Sequence, residues 1–164
     1  MTDVPLTQPS MLTHEDCMRA ALEAARRGLL AGEPPVGACI VRDGEIVVTA
    51  NNGVIGELDA TAHAEILAIR EACRQLRSLS LTGCTLYATV EPCPMCLSAC
   101  HYAGIDAVVF GAALDDMQGV TGGELGIHHD TLAQGGMTLT VTGACLADES
   151  RTLIAEWATR FNRC

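Results

Sequence analysis

Four side chains in two short segments have the types and spacing that metal chemistry needs. His63 and Glu65 stand in Thr61-Ala62-His63-Ala64-Glu65, and Cys93 and Cys96 stand in Glu91-Pro92-Cys93-Pro94-Met95-Cys96. A Cys-x-x-Cys pair at the start of a helix puts two sulfurs within one turn. An imidazole from a distant segment then closes three protein positions around a tetrahedral zinc and leaves the fourth for water. Three protein ligands are the arrangement of a catalytic zinc, because a structural site fills all four corners with side chains. Glu65 lies two residues after His63, an offset that on a helix turns its side chain roughly 200° away. That makes it a neighbour of the metal instead of a ligand, suited to take a proton from water and deliver it to a leaving group. Two blander readings stay open. A Cys-x-x-Cys alone suits a redox pair in a thioredoxin-like strand-to-helix context, and the same donors suit a structural zinc. Both motifs together, in this order and with Pro92 opening the second, favour the catalytic reading.

The rest of the chain must position these groups, and its size sets the frame. At 164 residues it is long enough to bury one substantial core, so a single domain over 1–164 is expected, with a loose arm over 1–10 that carries Pro5 and Pro9. Charged positions interrupt the apolar residues, so that no run approaches the roughly 18 that a membrane span requires. Met-Thr-Asp-Val-Pro has no basic region followed by an apolar block, and a cytoplasmic location is expected. Of nine cysteines, two go to the metal; Cys17, Cys39, Cys73, Cys84, Cys100, Cys145 and Cys164 are expected to be free thiols in a reducing compartment. Ten basic residues against twenty acids give a net charge of -10. Nucleic-acid binding draws on cations that displace condensed counterions, and the arginines are scattered apart from Arg26-Arg27, so a small-molecule substrate is favoured over RNA or DNA.

Local patterns place the elements. Thr13 with Asp16 resembles a capping box, and Met18, Ala21, Leu22, Ala25 and Leu29 follow at helical spacing as far as Gly32. Residues 36–41 and 45–49 flank Asp43-Gly44, which suits a type I′ hairpin. After a loop over 51–60, Thr61 is placed to cap a helix carrying His63 and Glu65 to about Leu76. Residues 84–90 read as a central strand whose end delivers Glu91 and Pro92, followed by a helix over 94–102 stopped by Gly104 and a strand over 107–110. Both motifs therefore begin helices, whose positive ends stabilise thiolates. The pattern is lost over 114–136, apart from a possible turn around 131–133, and such a segment is expected to border the substrate. A strand over 138–141 and a helix capped by Asp148 and running through Leu153, Ile154, Trp157 and Phe161 close the chain. Strands alternating with helices argue a mixed sheet covered on both faces.

His-x-Glu followed by Pro-Cys-x-x-Cys resembles the zinc nucleobase deaminases of the cytidine deaminase-like superfamily. The resemblance runs from Gly32-Glu33-Pro34-Pro35-Val36-Gly37-Ala38 to the last helix, and is strongest to the branch of tRNA adenosine deaminase, guanine deaminase and fungal-type cytosine deaminase. It implies an α/β fold, a three-layer α-β-α sandwich around a five-stranded mixed sheet, and a homodimer. It implies zinc on His63, Cys93 and Cys96, Glu65 as proton shuttle and Asn52 as the asparagine that contacts the substrate. Ala64, between the two functional residues, is a further candidate substrate contact. So are Glu124 and Asp115 or Asp116, since a carboxylate can hydrogen-bond a purine's ring N–H or amino group; solvated loop acids are the alternative. His101, His128 and His129 read as surface or supporting residues.

Within the branch the signals divide. Thr142-Gly143-Ala144-Cys145-Leu146-Ala147-Asp148-Glu149 and His128-His129 look like the carboxyl part of the tRNA enzymes. Those enzymes typically follow Phe-Gly-Ala with Arg-Asp-x-Lys-Thr-Gly, whereas Phe110-Gly111-Ala112 here leads into Ala113-Leu114-Asp115-Asp116-Met117. Losing cations and gaining an acid weakens a phosphate contact. Ala68-Ile69-Arg70-Glu71-Ala72-Cys73, with the Cys-x-x-Cys segment, looks more like the guanine and guanosine deaminases. Ala60 stands where the family usually has proline. The expected activity is zinc-dependent hydrolytic release of ammonia from a free nucleobase or nucleoside of the guanine type. Deamination of adenosine in tRNA is the alternative in the same class. A zinc-stabilised binding module without catalysis is the alternative from another class, which an intact Glu65 disfavours.

Overall fold

A computed structural model describes residues 11–161; the arm expected over 1–10 lies outside them. Helix α1, His14–Leu30, opens on the expected capping box: Thr13 Oγ1 accepts the Asp16 amide at 3.1 Å and Asp16 Oδ2 accepts the Thr13 amide at 3.0 Å. These bonds satisfy two backbone donors that the helix end would otherwise leave unpaired. Its apolar stripe buries Cys17, Met18, Ala21, Ala25 and Leu29. The small residues on that stripe allow close approach to strand β1, Gly37–Arg42, where a Cβ on Gly37 would collide with the carbonyl oxygen of Ala21. A hairpin through Asp43 and Gly44, both at positive φ (53° and 78°), leads into β2, Glu45–Asn51. Positive φ at both turn residues is what a type I′ turn requires, and Asp and Gly tolerate it. The register shifts between Ile40 and Val41, which leaves Val47 as an extra residue in β2.

Five strands form one sheet in the order β2-β1-β3-β4-β5, with β3 at Cys84–Val90, β4 at Ala107–Ala112 and β5 at Thr140–Thr142. β1 runs antiparallel to β2 and β3, while β3, β4 and β5 are parallel, so the sheet is mixed. Alternation along the strands separates two faces. Ala38, Ile40, Leu86, Ala88, Val90 and Val108 face helices α2, Ala64–Leu76, and α3, Pro94–Ala103. Cys39, Val41, Tyr87 and Val109 face α1. Helix α6, Ala147–Phe161, joins α1 on that side through Leu153, which packs on Ala25 and Leu29. The three-layer α-β-α arrangement follows, because each face of the sheet is apolar and must be covered.

Four local expectations are corrected. Helix α2 begins one residue after His63, which is itself the N-cap, in extended conformation (φ -67°, ψ 152°); Thr61 instead bonds Asp59. The segment expected to be irregular over 114–136 contains α4, Leu114–Thr121, and α5, His129–Gln134. Helical spacing of Leu114, Met117 and Val120 was present in the chain, but Gly119 and the glycines after it obscured it, and burial of Leu114 and Met117 decides the outcome. The last helix starts at Ala147, so Asp148 lies in its first turn, and the final strand is Thr140–Thr142 instead of 138–141. No described helix is long and apolar enough to cross a membrane. None of the described cysteines is in a disulfide.

Candidate metal centre and substrate cleft

The amino ends of α2 and α3 meet at the carboxyl end of β3, the central strand of the sheet. Val90 ends β3, Glu91 and Pro92 turn the chain, and Cys93 is the N-cap of α3 with Pro94 pre-setting its first turn. His63 stands in the equivalent position on α2. The helix-wheel offset between His63 and Glu65 does not apply, because His63 precedes the helix; both side chains therefore reach the same cleft.

The donor atoms of His63, Cys93 and Cys96 lie within 4.8 Å of one another. His63 Nδ1 is 3.7 Å from Cys93 Sγ and 3.5 Å from Cys96 Sγ. Zinc bonds of about 2.3 Å to sulfur and about 2.0–2.1 Å to nitrogen, at the tetrahedral angle, put the two donors about 3.6 Å apart, so the set fits that metal. Electrostatics agree with ligation by thiolate. Hydrogen bonding from Cys96 brings the Cys93 thiol down to about 4 against the opposing effect of burial, with the His63 bond adding to it. The Cys96 thiol is pushed up by the same shared bond and by burial. Hydrogen bonding to Cys93 raises the His63 imidazole. A bound dication would take the place of the protons shared here, since metal binding and thiol deprotonation are coupled.

Glu65 sits in the first turn of α2, 3% exposed, and its Oε2 has no hydrogen-bond partner among the described residues. Burial pushes its carboxyl up to about 7. A buried polar atom without a partner is rare in folded proteins and marks a position where a ligand or reacting group completes the bonding. Asn52 is 5% exposed, its Oδ1 accepting the Ala64 amide at 2.8 Å. It thus performs the cap that Thr61 was expected to make, and its side-chain N–H₂ has no partner among the described residues.

The cleft is lined by Pro34, Val36, Asn52, Val54, His63, Glu65, Val90, Glu91, Cys93, Leu114, Met117, Thr121 and Glu124. It brings together His63, Cys93, Glu65, Asn52 and Glu124 from the sequence-derived set, with Cys96 buried behind them. Two expected substrate contacts are not among its lining. Ala64 is fully buried with its amide given to Asn52, and Asp115 is exposed, with Oδ1 3.6 Å from His128 Nε2. Asp116 caps α4 by accepting the Ala113 amide at 3.0 Å and also receives Arg151 Nε at 3.1 Å.

Two glutamates without an assigned role in the chain's motifs shape the site. Glu33, 6% exposed, accepts the Ile55 amide at 3.0 Å and the Gly56 amide at 2.6 Å, and so ties the loop between Asn52 and His63 to the start of β1. Glu91, 4% exposed, accepts the Leu114 amide on Oε2 at 3.2 Å. Its Oε1 meets His128 Nδ1 at 3.1 Å and His129 Nδ1 at 3.4 Å. Burial opposes ionisation of Glu91, but the Leu114 amide and the two imidazoles outweigh it and hold the carboxyl below its ordinary value. Position beside the Cys-x-x-Cys motif was the one signal available for Glu91; Glu33 had only the Glu-Pro-Pro break.

Known proteins resemble this chain in sequence and in fold. The cytidine and deoxycytidylate deaminase zinc-binding region matches residues 11–112. A tRNA-specific adenosine deaminase of Aquifex aeolicus is 50% identical over 102 residues, which cover 62% of this chain and 67% of the relative. A guanine deaminase of Bacillus subtilis is 43% identical over 106 residues, 64% of this chain and 68% of the relative. The solved structure of a guanine deaminase from Nitrosomonas europaea superposes with a TM-score of 0.83 at 27% identity, covering 93% of this chain and 89% of that one.

Proposed function

The chain belongs to the cytidine and deoxycytidylate deaminase zinc-binding family and is a zinc-dependent hydrolytic deaminase, and from that premise we propose that its substrate is a free nucleobase or nucleoside of the guanine type. The charge of the cleft carries this reading. Its lining includes the carboxylates of Glu65, Glu91 and Glu124 and no arginine, and the chain contains no lysine. Arg19, Arg26, Arg42, Arg70, Arg74, Arg151 and Arg160 are each engaged with a carboxylate elsewhere. A polyanion would find few free cations here, whereas a ring that offers N–H and amino donors suits an acceptor-rich wall. Glu124 takes the Thr121 hydroxyl on Oε1 at 3.2 Å, which leaves its other oxygen for such a donor.

In this reading His63 Nδ1 and the sulfurs of Cys93 and Cys96 hold the zinc, which supplies the Lewis acidity that makes water nucleophilic near neutral pH. Glu65 Oε2 accepts the proton that the attacking water gives up and passes it to the ring nitrogen beside the amine-bearing carbon. The water's second proton goes by the same carboxylate to the departing amine, so oxygen replaces the amino group and ammonia leaves. The free Asn52 N–H₂ donates to an acceptor on the ring and orients it, its own plane held by the bond from Ala64.

The test is ammonia release from guanine, guanosine, adenosine and cytosine by the zinc-loaded chain, beside inosine formation in tRNA. Turnover of guanine or guanosine supports the proposal; inosine in tRNA without turnover of any free base or nucleoside overturns it. The 50% identity to the Aquifex aeolicus relative favours that second reading, under which affinity for tRNA falls steeply with added salt. A homodimer is also proposed, because Leu79 (90% exposed) and Tyr102 (85%) leave apolar surface for a partner. A monomeric mass by light scattering at micromolar concentration would refute it.

A further inference from the structure

One wall of the cleft is held by its two ends on a single carboxylate. Leu114, Met117, Thr121 and Glu124 all come from the stretch between the end of β4 and α5. At its start the Leu114 amide donates to Glu91 Oε2; at its end His128 and His129 reach Glu91 Oε1. Between these anchors the hydrogen bonds of residues 118–127 stay local among the described residues. Thr121 Oγ1 accepts the Gly123 amide, while the Gly122 amide donates to the Gln118 carbonyl, the Glu124 amide to Gln118 Oε1 and the Ile127 amide to the Leu125 carbonyl. Residues 122–127 are exposed apart from the partly buried Glu124, so apolar burial does not fix that half of the wall.

We infer that Glu91 is a positioning residue, a clamp that with His128 and His129 sets where Thr121 and Glu124 stand relative to the metal centre. Its chemistry suits this role better than ligation or proton transfer. Both carboxylate oxygens already accept bonds, whereas Glu65 Oε2 has none. The carboxylate lies two residues before Cys93 in the short turn between β3 and α3, so the clamp registers the wall directly against the metal-binding turn. Charge-assisted bonds in a buried setting are strong and directional, which gives one residue control over a stretch with few contacts of its own. His128 extends the link outward, its Nε2 lying 3.6 Å from Asp115 Oδ1 on the first turn of α4.

The inference rests on the proposed substrate reading only for its kinetic readout, so the experiment carries a second readout that does not need a substrate. The zinc-loaded chain is compared with the double variant His128→Ala/His129→Ala and with Glu91→Gln by zinc analysis, amide hydrogen exchange and steady-state deamination of guanine. The double variant is expected to keep its zinc and to exchange at the Gly122, Gly123, Glu124 and Ile127 amides about tenfold faster or more, the loss of one charged hydrogen bond being worth at least that factor. KM for guanine should rise by a similar factor while kcat changes less than about threefold. Glu91→Gln keeps an acceptor for the Leu114 amide and offers a donor to an imidazole Nδ1 in the other tautomer, so it should recover most of the protection. Unchanged exchange in the double variant overturns the clamp, as does loss of zinc, which would make the imidazoles supports of the metal turn. A fall in kcat for Glu91→Gln with exchange intact also overturns it, because the carboxylate would then move a proton. If the unsubstituted chain does not act on guanine, the substrate proposal fails and exchange alone decides the clamp.

Discussion

Replacing Glu33 tests whether the loop between Asn52 and His63 is positioned by one buried carboxylate. Its two bonds, to the amides of Ile55 and Gly56, are charge-assisted, and each such bond contributes about 1.5–3 kcal/mol. Ile55 is 57% exposed, so water can replace a lost acceptor and the lower figure applies. Glu33→Ala removes both acceptors and should cost about 3 kcal/mol. For a domain of this size that lowers Tm by about 6–12 °C, at about 2–4 °C per kcal/mol. Glu33→Gln keeps one carbonyl oxygen and turns an N–H₂ toward the other amide, so its loss should be about half as large. Both values are read from thermal unfolding of the zinc-loaded chain followed by circular dichroism. Since Val54 lines the cleft and the loop leads directly to His63, kcat/KM should fall in the same order. Tm values of both variants within about 2 °C of the unsubstituted chain would refute the reasoning and assign the fixing of the loop to other contacts.

Three further outcomes are expected. Glu65→Gln keeps size and burial but cannot take up the water's proton, so turnover should fall about 10²- to 10⁴-fold with zinc retained; near-normal deamination would move the proton to another group. Cys93→Ala removes one of three donors, and elemental analysis should show the zinc lost together with activity; full occupancy would overturn the ligand set. Alkylation of the native chain at pH 8 followed by mass spectrometry should leave Cys17, Cys39, Cys84 and Cys100 unmodified, because burial raises each thiol, to about 12 for Cys39. Rapid labelling of any of these four would show that the α1 layer or α3 opens readily.

Local chemistry in the sequence determined the metal donors, the capping box of Thr13 and Asp16, the Asp43-Gly44 hairpin and strand β3, since each depends on residues a few positions apart and on fixed backbone geometry. Charge was legible in the same way: Asp116 stood out as an acid where a cation was expected, with Asp115 beside it. Only the tertiary structure decided what those acids do: Asp116 caps α4 and holds Arg151, while Asp115 turns outward to His128. It also decided that His63 precedes its helix, which brings it onto the same side as Glu65, and that Asn52 supplies the cap to Ala64. Glu33 and Glu91 were hidden for one physical reason. Their partners are amides and imidazoles 22 to 38 positions along the chain, and a carboxylate's choice among distant donors has no period and no spacing. It is settled by the path of the backbone, once the sheet and its two helix layers have brought those donors within reach.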